Sequence, residues 1–233
     1  MKPEKTIGLL LIIGAIGVFI PYTVLTITFE YPDILREDAG TILTSFHDGG
    51  TSLILTWWAF ALLGMPLLIA YILIGQKFEN RLGFIKWVTT FGVISGIVQI
   101  IGLLRWVFVV PVLANNYVRA GDAATKEASK IAFQTIHQFG GVLLGEHIGQ
   151  LFTIVWTIMM SSAFMKLKFF PSWTSWLGIT ASVIYLMAQA ELFATVISGF
   201  PVWDMAGFIG STLWLLWLII IGILFLRKSD ETK

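Results

Sequence analysis

The 233 residues contain no cysteine. That excludes a disulfide framework, a thiolate metal site and a cysteine nucleophile. Charge is scarce too. Asp, Glu, Lys and Arg make up 12% of the chain, roughly half the share of a soluble domain. The net charge of +1 provides no basic face, so no nucleic-acid partner is expected. Low-complexity tracts and sequence repeats are missing as well. What the chain has in quantity is apolar: 57% of residues are hydrophobic and the mean hydropathy is +0.84. Long apolar runs separated by short polar patches describe an integral membrane protein, with the lipid bilayer as its first partner.

Six such runs cover about residues 7–28, 51–75, 88–114, 141–165, 174–197 and 205–226. Each is long enough, at ~1.5 Å rise per residue, to cross a ~30 Å hydrocarbon core as a helix. In lipid the backbone must pair internally, so helices and not open strands are expected. Lys2 and Lys5 before the first run resemble the start of a signal peptide. The run exceeds the usual ~7–15 residues and no A-x-A site follows, so it reads as a retained span. The expected fold is all-α: one membrane domain over 1–233, a polytopic bundle of six transmembrane helices. The two long outer loops, 29–50 and 115–140, are expected to hold short interfacial helices. Leu35, Ala39, Ile42, Leu43 and Phe46 stand near helical spacing in the first. Asp122 is placed to cap a helix in the second, running to a bend at Gly140–Gly141.

Lys2, Lys5, Lys77, Arg81, Lys86, Lys166, Lys168, Arg227, Lys228 and Lys233 fall on one side of these spans. Only Arg36, Arg119, Lys126 and Lys130 fall on the other. The excess predicts cytoplasmic N- and C-termini. Trp87, Trp173 and Trp176 fit an inner aromatic belt and Trp203 an outer one, whereas Trp57, Trp58, Trp106, Trp156, Trp214 and Trp217 read as packing residues.

The segment "HQFGGVLLGEHIGQLFTIVW", residues 137–156, interrupts this apolar pattern with His137, Glu146, His147 and Gln150. Counted along the helix axes, Glu146 and His147 lie roughly 8–9 Å below the outer end of the fourth span. Arg105 on the third span and Glu191 on the fifth each lie roughly 26 Å up from the inner end. Three helices thus bring Arg105, Glu146, His147 and Glu191 to one outer level, with Gln99, Gln150 and Gln189 beside it. An intramembrane charge costs on the order of 2.5–3.5 kcal/mol unless paired or wetted. The expectation is a polar centre of Arg105, Glu146, His147, Gln150 and Glu191, with Arg105 the fixed cation and both glutamates its counter-ions. The inner half is almost purely apolar, so the centre is expected to open outward. Gly141, Gly145 and Gly149 form a bare stripe for close helix approach, and Glu146, Gln150, Thr153 and Thr157 a polar stripe facing inward.

Several functions fit such a centre. One is binding of a small polar or amphipathic molecule, a lipid included. Another is a structural ion pair that sets helix register, in a plain bundle or an accessory subunit. A third is a membrane metalloenzyme or haem protein using His47, His137, His147 and Glu146. Their spacing matches neither H-x-x-x-H nor H-E-x-x-H, and no motif assigns a cofactor or a serine triad.

The stretches "FEYPDIL", "GIVQIIGLLRWVFVVP", "HQFGGVLLGEHIGQLFT", "AQAELFATVI" and "GSTLWLLW" span nearly the whole chain. Through them the sequence resembles a bacterial multi-pass membrane family carried as domain of unknown function 4386. The resemblance implies a bacterial source and a location in the cytoplasmic (inner) membrane. It implies no activity and carries over no functional residue.

Overall fold

A computed structural model describes residues 2–231. Lys233, one of the ten inner charges, lies outside them. The described residues hold helices and no strand: α1 (Pro3–Phe29), α2 (Ala39–Leu63), α3 (Met65–Phe78), α4 (Ile85–Phe108), α5 (Val110–Arg119), α6 (Ala123–Ile136), a π-helical segment (His137–Ile148), α7 (Gly149–Lys166), α8 (Ser172–Met187), α9 (Gln189–Ala194) and α10 (Ala206–Glu231). They join into six runs long and apolar enough to cross a membrane: Pro3–Phe29, Ala39–Phe78, Ile85–Arg119, Ala123–Lys166, Ser172–Ala194 and Ala206–Ser229. The chain is an all-α, six-span bundle.

The breaks between joined helices have local causes. Pro66 and Pro111 open α3 and α5. A proline has no N–H for the ladder and crowds the preceding carbonyl, so each run is interrupted just before it. Within α2, Gly50 takes φ +56° and ψ −149°, a conformation that a side chain would oppose. It separates the loop part of α2 from the part in the span. Both long loops carry the helices expected of them. Asp38 caps α2 through the amides of Gly40 and Thr41, and Asp122 caps α6 through Thr125. Leu35 is the exception, sitting in a 3-10 turn over Asp33–Arg36. At Gly140–Gly141 the structure differs from expectation: the helix does not end there, and its ladder widens into π-helical turns.

The six runs close into a ring in sequence order, each packed on its neighbours, with α10 returning to α1. Ring contacts are tight at small residues. A Cβ on Gly8 of α1 would stand 2.6 Å from the Gly222 carbonyl oxygen of α10. Two apolar cores fill the ring. The first lies at the end that holds both termini and joins Leu11, Tyr71, Trp156, Phe164 and Trp217. The second lies at the opposite end, the loop end, and joins Leu25, Phe46, Trp57, Trp106 and Phe133. Trp57, Trp106, Trp156 and Trp217 are fully buried. Trp58 is not a packing residue: it is exposed beside Leu55 and Leu63 on the outward face. The outward faces of the spans are apolar, with Ile16, Ile20, Ile27, Phe108 and Val183 exposed, as lipid contact requires.

Candidate functional site

The site begins where α4 meets the π-helical segment. Gly140, Gly141 and Gly145 weaken the α-helical preference of this stretch. They also leave room for backbone to touch backbone. A Cβ on Gly102 of α4 would lie 2.8 Å from the Gly140 carbonyl oxygen and 2.9 Å from the Gly145 Cα. One turn on either side, Gly141 faces the Arg105 guanidinium and Gly149 faces Gln99. The glycine stripe read from the sequence therefore faces α4, on Arg105, Gly102 and Gln99 in turn. π-helical turns in proteins cluster at functional sites, and this one carries both Glu146 and His147.

Glu146 and Glu191 converge on a single guanidinium, and it belongs to Arg36. Arg36 Nη2 lies 2.8 Å from Glu191 Oε1 and 3.4 Å from Glu146 Oε2. Arg36 Nε also donates to Glu191 Oε1, at 2.8 Å. Burial works against the Arg36 charge, but the two carboxylates outweigh it and raise its pKa further, so it stays a cation. None of the three is sealed: the side chains of Arg36, Glu146 and Glu191 are 31%, 18% and 38% exposed. Tyr31 and Tyr185 stand within electrostatic reach of Glu146. The Tyr31 hydroxyl is pushed well above its ordinary range, first by burial and then by that carboxylate.

The expectation that Arg105 would take these glutamates as counter-ions is thereby corrected. Among the described residues no carboxylate lies within ion-pair distance of Arg105. Its Nη1 donates to the Gly102 carbonyl, its Cζ lies 5.2 Å from the Trp106 ring centroid, and its Nε is buried without a partner. The physical reason is the 3-10 turn, which carries Arg36 across the mouth of the bundle and so satisfies both carboxylates from the loop. Glu146 acts on Arg105 through space only.

His147 and Gln150 belong to a second polar string. His147 Nδ1 lies 2.8 Å from Gln189 Oε1, and Gln189 Nε2 donates to Gln150 Oε1 at 2.7 Å. With the Gln189 amide oriented that way, its oxygen can only accept, so Nδ1 of His147 carries the proton. The sequence marks Gln189 only as a neighbour of the centre; in the fold it is the buried link between His147 and Gln150. The lower polar stripe is also engaged. Thr153 meets Ser95 of α4 at 2.7 Å, Gln99 donates to both, and Trp214 donates to Thr157.

The histidines are spread out. His47 lies half-buried on α2, and His137 is buried at the start of the π-helical segment. Among the described residues no three His, Asp or Glu side chains gather to hold one metal ion.

One comparison with known proteins gives a match. A family model described as "Domain of unknown function (DUF4386)" matches residues 6–222. No curated protein and no solved structure matches the chain.

Proposed function

The chain belongs to the family described as DUF4386, and from that footing we propose that it is a multi-pass protein of a bacterial cytoplasmic membrane that binds a small polar or amphipathic ligand at its loop end. In this reading both termini are cytoplasmic and the loop end faces outward. The binding groups are Glu146 and Glu191, with the His147–Gln189–Gln150 string beside them and Arg36 as the movable cation.

The observation that carries this is the partial exposure of the charged triad. An ion pair buried only to fix helix register must have every charge and lone pair satisfied to repay its desolvation. Here a loop arginine bridges two carboxylates that solvent still reaches. A cationic headgroup could replace Arg36 on the glutamates, and an anionic one could pair with Arg36 itself. The apolar faces around the mouth would hold a short apolar tail.

Native mass spectrometry of protein purified in mild detergent tests this directly. Wild type is expected to retain a small molecule or lipid that Glu146→Gln loses at equal folding. Bare wild-type protein, whose thermal midpoint no fraction of a total membrane extract raises, would refute ligand binding and leave the ion pair as structure.

A further inference from the structure

A cleft of about 220 Å³ opens at the loop end between the start of α2 and α6. None of Arg36, Glu146 or Glu191 lines it, so the cleft is separate from the charged triad and independent of the function proposed for it. At its floor lies His137, 8% exposed, with neither ring nitrogen hydrogen-bonded. The ring is held in place. It stacks on Phe133 at 5.3 Å between centroids and meets the edge of Trp106 at 6.2 Å. Behind it stands Arg105, also 8% exposed, against the same Trp106 and with Nε unpartnered. Buried polar groups of this kind are nearly always satisfied by protein, water or ligand. Arg105 does not line the cleft, but its charge reaches the His137 ring through space, so the unpartnered nitrogens that open there call for an acceptor that carries charge.

At the rim Lys130 lines the cleft, its ammonium also 2.8 Å from Glu127 Oε2. Of the two carboxylates there, Asp38 is committed to the amides of Gly40 and Thr41 and to the Thr41 hydroxyl, and Glu37 is exposed to solvent. A volume of about 220 Å³ leaves room for a small acid or a headgroup. We propose that this cleft binds an oxyanion, a carboxylate or phosphate, with one oxygen accepting from the His137 imidazole in the field of Arg105. The source is either a free small anion or an anionic lipid headgroup.

Three histidines in the whole chain make a clean spectroscopic test. Full-length protein with ¹⁵N-labelled histidine is placed in phosphatidylcholine nanodiscs, and the ring signals are assigned by single His→Gln variants. Acetate, inorganic phosphate and, as the neutral control, glycerol are titrated in turn. The anions are expected to move the His137 nitrogens saturably, with at least fivefold weaker binding in Lys130→Glu, while His47 stays still and glycerol has no effect. Movement only when the discs contain phosphatidylglycerol would assign the oxyanion to a lipid headgroup. Unmoved His137 signals in every case, an equal response to glycerol, or unchanged affinity in Lys130→Glu would overturn the site and leave bridging water in the cleft.

Discussion

Arg36 reaches Glu191 Oε1 at 2.8 Å with both Nε and Nη2, although 155 positions separate the two residues. The contact ties the 3-10 turn that follows α1 to the end of the fifth span. Glu146, at 3.4 Å, completes the triad less closely. The strengths should follow the distances. In a double-mutant cycle, Arg36→Gln with Glu191→Gln is expected to show a coupling of about 0.5–1 kcal/mol, reduced by partial exposure. The cycle with Glu146→Gln should give a smaller value. Both couplings should shrink in 1 M salt, where screening is short-ranged. Unfolding equilibria in detergent measure them, and equal or salt-insensitive couplings would contradict the geometry.

The contact between α4 and the π-helical segment makes an asymmetric prediction. A Cβ on Gly102 would meet backbone at 2.8 and 2.9 Å, whereas a Cβ on Gly145 meets its neighbours at an ordinary 3.4 Å. Gly102→Ala must push two backbones apart, at about 1–3 kcal/mol. Gly145→Ala should cost well under 1 kcal/mol. Gly83, with nothing within 4 Å of its Cβ position, is the neutral control. Thermal midpoints of the three variants decide the matter, and a Gly145→Ala loss as large as that of Gly102→Ala would reject the packing described.

These two relationships also show what a sequence reveals in such a protein. Lipid imposes length and apolarity on every span, so the six runs are legible directly. Asp122 is legible as a cap because its partner, Thr125, is three residues away. Depth is partly legible: Glu146 and Glu191 do share a level, since they share a guanidinium. Direction around the helix axis is not. Arg105 turns to Gly102 and Trp106 instead of the glutamates, and spacing along the chain does not report that angle. Arg36 cannot be found from spacing, since a polar loop residue gives no sign of how far its loop folds back over the bundle.

The cap on α2 should confer a pH dependence of known sign. The Thr41 hydroxyl and the Gly40 amide, both donating to Asp38, hold its carboxyl below the ordinary carboxylate range. A carboxyl with a depressed folded-state pKa stabilises the fold above its unfolded value of about 3.9, and that contribution disappears as pH falls through the folded value. Asp38→Ala is therefore expected to lower the thermal midpoint at pH 7 and to differ less from wild type below about pH 4. Asp38→Asn, which keeps an acceptor at the cap, should lose less at pH 7. A wild-type advantage over Asp38→Ala that grows on acidification would contradict the sign.

Orientation in the membrane decides which compartment reaches the charged triad and the His137 cleft, and the absence of cysteine makes it easy to measure. Asn80 lies exposed between α3 and α4, on the end that holds both termini, and Gly121 lies exposed between α5 and α6 on the loop end. A Cβ at Gly121 has open space around it, so a thiol there should react freely. Lys77, Arg81 and Lys86 flank Asn80, and positive charge of this density is retained on the cytoplasmic side. In intact cells a membrane-impermeant maleimide should label Gly121→Cys and spare Asn80→Cys, with both labelled after permeabilisation. The reverse pattern would turn the bundle over. Both sites would then face the cytoplasm, and any ligand would have to come from inside the cell.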